Sequence, residues 1–245
     1  MSDQLPSDSG APPSRRDFVS SLAVGGFAAA TMRPRPLSMV PAEGPMQAPA
    51  QPPVQLPPTK DDGPWDMSWL DRVDRAKYKL MFDVGAYLNG TGLYYAKNYL
   101  NGMRDGWGIE APKVLPLLGV SGDAYPIVFG DAVWEKYHYG VSSKTNDSRT
   151  GQPAIRNVWW QPKAGEPMAE FGVDVLQARG CQMLLCNNVF RGVIRRAMQE
   201  TSRPYAEVRA ELKAGLLPGV IVVPAMVAAM AMSQAHGAAY VFAGA

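Results

Sequence analysis

The sequence predicts an α/β fold: a mostly parallel β-sheet covered by helices on both faces. Two observations predict it. From Tyr78 onward, short apolar runs alternate with segments of helical pattern, the succession that repeated β-α units produce. Several of those runs, "CQMLLC" and "GVIVVP" among them, are apolar at nearly every position. Strands buried on both faces read that way.

The elements follow in order. "YKLMFDV" (Tyr78 to Val84) reads as a buried strand, and "GLYYAKNYLNGMRDGWG" as a helix ended by Gly106 or Gly108. "KVLPLLGV" (Lys113 to Val120) is a second strand, weakened by Pro116. "DAVWEKYHYG" is expected as one short helix and "TNDSRTGQPAIRN" as a polar loop. "MAEFGVDVLQARG" is expected as a helix closed by Gly180, followed by the strand "CQMLLC". "NVFRGVIRRAMQE" is a helix whose basic residues come late, which suits the helix dipole. "GVIVVP" is a β-branched strand, "AMVAAMAMSQAHG" a helix and "AAYVFA" the last strand. The apolar stretch Leu216 to Met232 is cut by Pro218, Gly219 and Pro224. It fits a buried strand feeding a buried helix better than a membrane span.

What precedes this body differs in kind. Residues 14 to 30 read "SRRDFVSSLAVGGFAAA". Arg15 and Arg16, followed by Phe18 and Val19, resemble the twin-arginine export pattern S-R-R-x-F-L-K, with Ser20 in place of the lysine. A weakly apolar run and a small-residue cleavage site, Ala28-x-Ala30, complete the expectation of a signal peptide over residues 1–30. The protein is therefore expected in the periplasm or outside the cell, where disulfides are permitted. Ten of the 22 prolines fall between Arg33 and Pro64. Proline removes amide donors and stiffens the backbone, so residues 31–64 read as an extended linker. Residues 65–245 then form one domain, long enough to bury a core unaided. The net charge of +2 is too small to argue for nucleic acid.

The two cysteines of the chain lie in "GCQMLLCNNVF". If "CQMLLC" is a strand, its ends are ~16 Å apart at ~3.3 Å per residue. A disulfide needs Cα atoms within about 7 Å. An offset of five also sends the two side chains to opposite faces of the sheet. No metal site is expected either: the remaining soft ligands are His138 and His236, and no paired ligand spacing exists. These are separate thiols. Cys181 reads as a small buried hydrophobe. Cys186 closes the strand just before a helix expected to be capped by Asn187 or Asn188. Ligands of open α/β sheets bind beyond the carboxyl ends of strands, and helix amides there favour a thiolate. From the residues alone, Cys186 is either reactive or structural. His236 reads as a surface or capping residue at the far edge of the last strand, and His138 as half-buried packing among Trp134, Tyr137 and Tyr139.

"GCQMLLCNNVF" and "LLPGVIVVPAMVAAMAMSQAHGAAYVF" together resemble the DsrE/DsrF-like proteins of sulfur metabolism. In that family a strand ending in cysteine, G-V-x-φ-x-x-C-x-N with φ apolar, leads into a helix. Gly180, Cys186 and Asn188 match it. Leu217, Pro218, Gly219, Val220, Val222, Val223, Pro224, Ala225, Val227, Gln234, Gly237, Ala239 and Tyr240 match the family's closing segment. The resemblance is good from Phe171 to Phe242 and looser from Tyr78 to Gly140. It implies a DsrE-like, flavodoxin-like sheet without a cofactor, usually in a homo-oligomer. It also implies that the matched cysteine carries sulfur as a persulfide between partner proteins. Cys186 inherits that role, with Asn187 and Asn188 beside it as binding residues. The alternative expectation is a non-catalytic binding or scaffold module tethered by the proline-rich arm.

Overall fold

A strand within a parallel sheet must be buried on both faces, and the central strands meet that demand. In the computed structural model, which describes residues 64–244, all seven positions of β2 (Val114–Val120) and all five of β3 (Gln182–Cys186) are buried. β1 (Tyr78–Val84), β4 (Val220–Val223) and β5 (Ala239–Phe242) complete a sheet of order β4-β3-β2-β1-β5, with every pairing parallel. The edge strands β4 and β5 are only partly covered. The twin-arginine segment with Arg15, Arg16 and Phe18, and the linker up to residue 63, lie outside the described residues.

Side chains alternate between two cores. Phe82, Val84, Leu118, Val120, Met183 and Leu185 face the larger one, whereas Met81, Leu115, Leu117, Leu184, Cys186 and Val223 face the smaller. The steps β1 to β2, β2 to β3 and β3 to β4 all run the same way across the sheet. Right-handed crossovers therefore put the intervening helices on one face. These are α2 (Thr91–Trp107), α5 (Val173–Ala178), α6 (Asn187–Thr201) and α7 (Tyr205–Ala214). Their residues Leu93, Leu176, Phe190, Ile194 and Leu212 join the larger core. The step from β4 back to β5 runs the other way and places α8 (Met226–Ala235) on the second face. There it meets α1 (Ser68–Arg75), and Trp69, Val73, Met226 and Ala229 build the smaller core. The predicted α/β architecture, a parallel sheet with helices on both faces, is the observed one.

Several elements differ in detail. The single helix expected over 131–140 is two, α3 (Asp131–Lys136) and α4 (Tyr139–Ser142). Between them His138 adopts a left-handed conformation at φ 50°. That turn leaves His138 exposed rather than half-buried. The helix expected over 168–180 contracts to α5, because Gly172 is extended and lies against the ring of Pro162. The late arginines of α6 stop short of its last turn. The apolar stretch from Leu216 resolves into β4, a turn and α8, and no described helix is long and apolar enough to cross a membrane. Helices α1 and α7 were not expected. For α7 a signal existed: Val208 and Leu212 lie four apart on its buried side, and Gly215 follows its end.

Candidate functional site at the β3–β4 crevice

The site grows from the reversal of chain direction. The connection after β3 leaves for the first face through α6, and the one after β4 leaves for the second through α8. Neighbouring strands whose connections diverge open a crevice at their carboxyl ends. Cys186 is the last residue of β3, in register with Val223 at the end of β4. Its side chain points to the second face. The Met226 amide, the first of α8, donates to Cys186 Sγ at 3.4 Å. Cys186 is also the N-cap of α6, so Asn187 is the first helical residue and neither asparagine caps the helix as expected. Cys186 thus stands where two helices begin nearby, but its sulfur takes its amide from α8 and makes no capping hydrogen bond to α6.

Glycine makes this approach possible. A Cβ on Gly119 of β2 would come within 2.6 Å of Met226 Sδ and 2.7 Å of Met81 Cε. Its absence lets Met226 fold down onto the sheet beside Cys186. The same packing closes the site. Cys186 is 6 % exposed, within a cluster of Leu184, Val223 and Met226 that Val189, Ile221 and Met230 extend. The sulfur is surrounded by one backbone donor and apolar side chains.

The residues singled out by sequence separate in space. Cys181 lies in the larger core on the opposite face, and both cysteines are free. Burial pushes the Cys181 thiol up to about 12, although Arg179 and Arg72 pull it the other way. Asn187 is buried beside Cys186 in sequence, whereas Asn188 is exposed. His236 caps the far end of α8, and its Nδ1 lies 2.7 Å from Asp74 Oδ1 of α1. It is at the amino-terminal edge of the sheet, away from Cys186, as its place before the last strand implied.

One pair on the carboxyl-terminal edge was missed. The Tyr240 hydroxyl donates to Asp83 Oδ2 at 2.9 Å, and this hydrogen bond raises the tyrosine above its ordinary pKa. Asp83 interrupts the apolar strand "YKLMFDV" near its end, a charge in a buried context that could have drawn notice. Among the described residues, no group of three or more His, Cys, Asp or Glu is arranged to hold a metal ion.

No protein-family model matches the chain. No curated protein matches it. Among solved structures, it is similar to a protein of unknown function from Methanobacterium thermoautotrophicum, at 16% identity and a TM-score of 0.37. That alignment covers 67% of this chain and 98% of the other.

Proposed function

We propose that this is an exported DsrE-like protein that binds or relays sulfur through Cys186. The observation that carries the reading is the Met226 amide on Cys186 Sγ, at the point where the β3 and β4 connections diverge. Ligands of open parallel sheets are held there. A persulfide on Cys186 would extend toward the amides that open α8 on the second face. Asn187 and Asn188, which follow Cys186 in α6, belong to the reading as its binding residues. The chemistry balances without a cofactor. The Cys186 thiolate attacks the sulfane sulfur of a polysulfide or of thiosulfate, forming one S–S bond while another breaks. The electron pair leaves with the shortened polysulfide or with sulfite. A thiolate on an acceptor protein then attacks the outer sulfur and regenerates Cys186. Donor and acceptor proteins, a homo-oligomeric state and export through Arg15, Arg16 and Phe18 belong to the same reading.

One observation favours a second reading, a non-catalytic binding or scaffold module tethered by residues 31–64. Cys186 is 6 % exposed, which suits a small diffusible sulfur species better than a bulky partner and suits a structural thiol best of all. Intact mass decides between them. After incubation with polysulfide or thiosulfate and removal of excess reagent, the relay reading expects one added sulfur per chain. That sulfur should be absent in Cys186→Ser and retained in Cys181→Ser. A wild-type mass that does not change leaves the scaffold reading standing alone.

A further inference from the structure

On the first face, remote from Cys186, a cavity of about 40 Å³ is lined by Tyr125, Tyr137, Tyr139, Ser142, Arg196 and Glu200, with α6 forming one wall. We propose that it binds a single compact carboxylate, held by the Tyr139 hydroxyl and the Arg196 guanidinium.

The argument begins with an unmet donor. Tyr139 is 4 % exposed, and its hydroxyl has no hydrogen-bond partner. The neighbouring phenols are already engaged. The Tyr125 hydroxyl accepts from Arg196 Nη1 at 2.9 Å, and the Tyr137 hydroxyl donates to Glu211 Oε1 at 2.9 Å. Nor can the Tyr139 ring swing out to water. The rings of Tyr125, Trp134 and Tyr137 pack on it at centroid distances of 5.4, 6.1 and 6.2 Å. A buried hydroxyl left unpaired is costly, and the cavity that Tyr139 lines is the space beside it from which an acceptor can come. Burial raises the pKa of this phenol, with Tyr125, Tyr137 and Glu200 adding to the effect and Arg196 opposing it. It therefore remains an O–H donor, and what it lacks is an acceptor, because the Glu200 carboxylate, although in the lining, bonds neither Tyr139 nor Arg196.

Arg196 makes that acceptor an anion. It spends one N–H on Tyr125 and lies over that ring at 6.0 Å. It has no ion-pair partner among the described residues, and a guanidinium offers five donors in a fork that matches a carboxylate. Size narrows the ligand. A water needs about 10–15 Å³ of such space, so a cavity of about 40 Å³ takes roughly three non-hydrogen atoms. That is a carboxylate head group, free or on an acidic side chain of a partner, and nothing larger. Glu200 at the mouth opposes the same charge and tunes the affinity downward.

The test uses formate, with formamide as its uncharged isostere, titrated into the full-length chain carrying 13C-labelled tyrosine. Formate is expected to shift the Tyr139 signal saturably, and formamide to leave it in place. Arg196→Gln should weaken formate binding at least about tenfold, since hydrogen bonds to charged groups are the strong ones. Glu200→Gln should tighten it, and both are surface changes that keep the fold. Tyr139→Phe, which identifies the signal by its loss, should also abolish any saturable shift that formate causes in the Tyr125 and Tyr137 signals. A shift that does not saturate, an equal response to formamide, or an unchanged response in Arg196→Gln would overturn the proposal and leave a buried water site.

Discussion

Cys181 packs into the larger core with its thiol pushed up to about 12 by burial. At pH 7.5 it is an uncharged thiol without access to reagent, so Cys186 is expected to alkylate with iodoacetamide faster than Cys181 in the native protein. Peptide mapping of a time course checks the order; Cys186 protected as fully as Cys181 would count against sulfur relay. Cys181→Ser replaces a weakly polar group with a hydroxyl that has no partner there. It should lower stability by about 1–3 kcal/mol in urea unfolding while leaving sulfur loading intact. Gly119 of β2 leaves the room in which Met226 packs beside Cys186. In Gly119→Ala the new methyl meets Met226 Sδ and Met81 Cε, both ends of flexible side chains. They yield, at a cost of about 1–3 kcal/mol, and Met226 must withdraw from Cys186. The alkylation rate of Cys186 should rise in this variant; an unchanged rate would mean that Met226 does not gate the thiol.

Between elements, the same substitution has other outcomes. A Cβ on Gly140 in α4 would run into backbone atoms of Ala154. That contact is locked by Thr145 donating to Gly140 O at 2.8 Å and Ala154 donating to Thr145 O at 2.8 Å. Backbone cannot step aside as a methionine can, so Gly140→Ala should cost about 3 kcal/mol or more. Gly192, within α6, has nothing near its Cβ direction, and Gly192→Ala should stabilise by about 0.5–1 kcal/mol through helix propensity. Urea midpoints of the two variants should move in opposite directions. Charge joins α7 to α3 at Glu211, which accepts from Lys136 Nζ at 2.7 and 2.8 Å, from Tyr137 and from Arg203. The Lys136 hydrogen bond, followed by those from Arg203 and Tyr137, outweighs burial and holds the Glu211 carboxyl at about 2, against 4.5 unfolded. The folded state therefore binds its proton later than the unfolded state. The contribution is full above about pH 4.5 and is lost as the pH falls from there toward 2. Glu211→Gln should lower stability by on the order of 1 kcal/mol at pH 7, since the network is partly exposed. The difference from wild type should shrink below pH 4.5 in paired urea titrations.

At the scale of the whole molecule, export is the property that residues 1–30 confer in our proposal. Arg15→Lys combined with Arg16→Lys should leave full-length precursor in the cytoplasm, because the twin-arginine route distinguishes arginine from lysine and the general secretory route does not. Normal appearance of that double variant outside the cytoplasm, by cell fractionation, would remove the assignment. Among the described residues, both cores of the body are built between Trp69 and Ala243.

The strands of this body were legible because their cause is local. A run such as "QMLLC" has no polar residue after its first position to present to water, so it must be buried on both faces. The two-residue period alone sends Cys181 and Cys186 apart. Long helices were legible for the same reason, through their apolar spacing and the glycines that end them, as at Gly108 with φ 63°. Residues 128–172 were read poorly because nothing local holds them. Their helices have only six and four residues, below the length at which a helix sustains itself. Buried Asn157 ties them to the body, giving Nδ2 to Ile127 O and Phe129 O at 2.9 and 2.7 Å and accepting from the Trp159 amide at 2.9 Å. The tyrosine cavity, assembled from the 3-10 turn after β2, α4 and α6, was invisible in sequence for that reason. The strand order, too, depends on pairings across the whole chain. Only that order, with β5 returning past three strands to lie beside β1, sends α8 to the second face and brings the Met226 amide to Cys186. The sequence alone determined which residues are strands and which face each occupies, since both follow from burial at a fixed period. Which thiol meets a helix amide was decided by the tertiary structure, because that contact joins residues 40 apart.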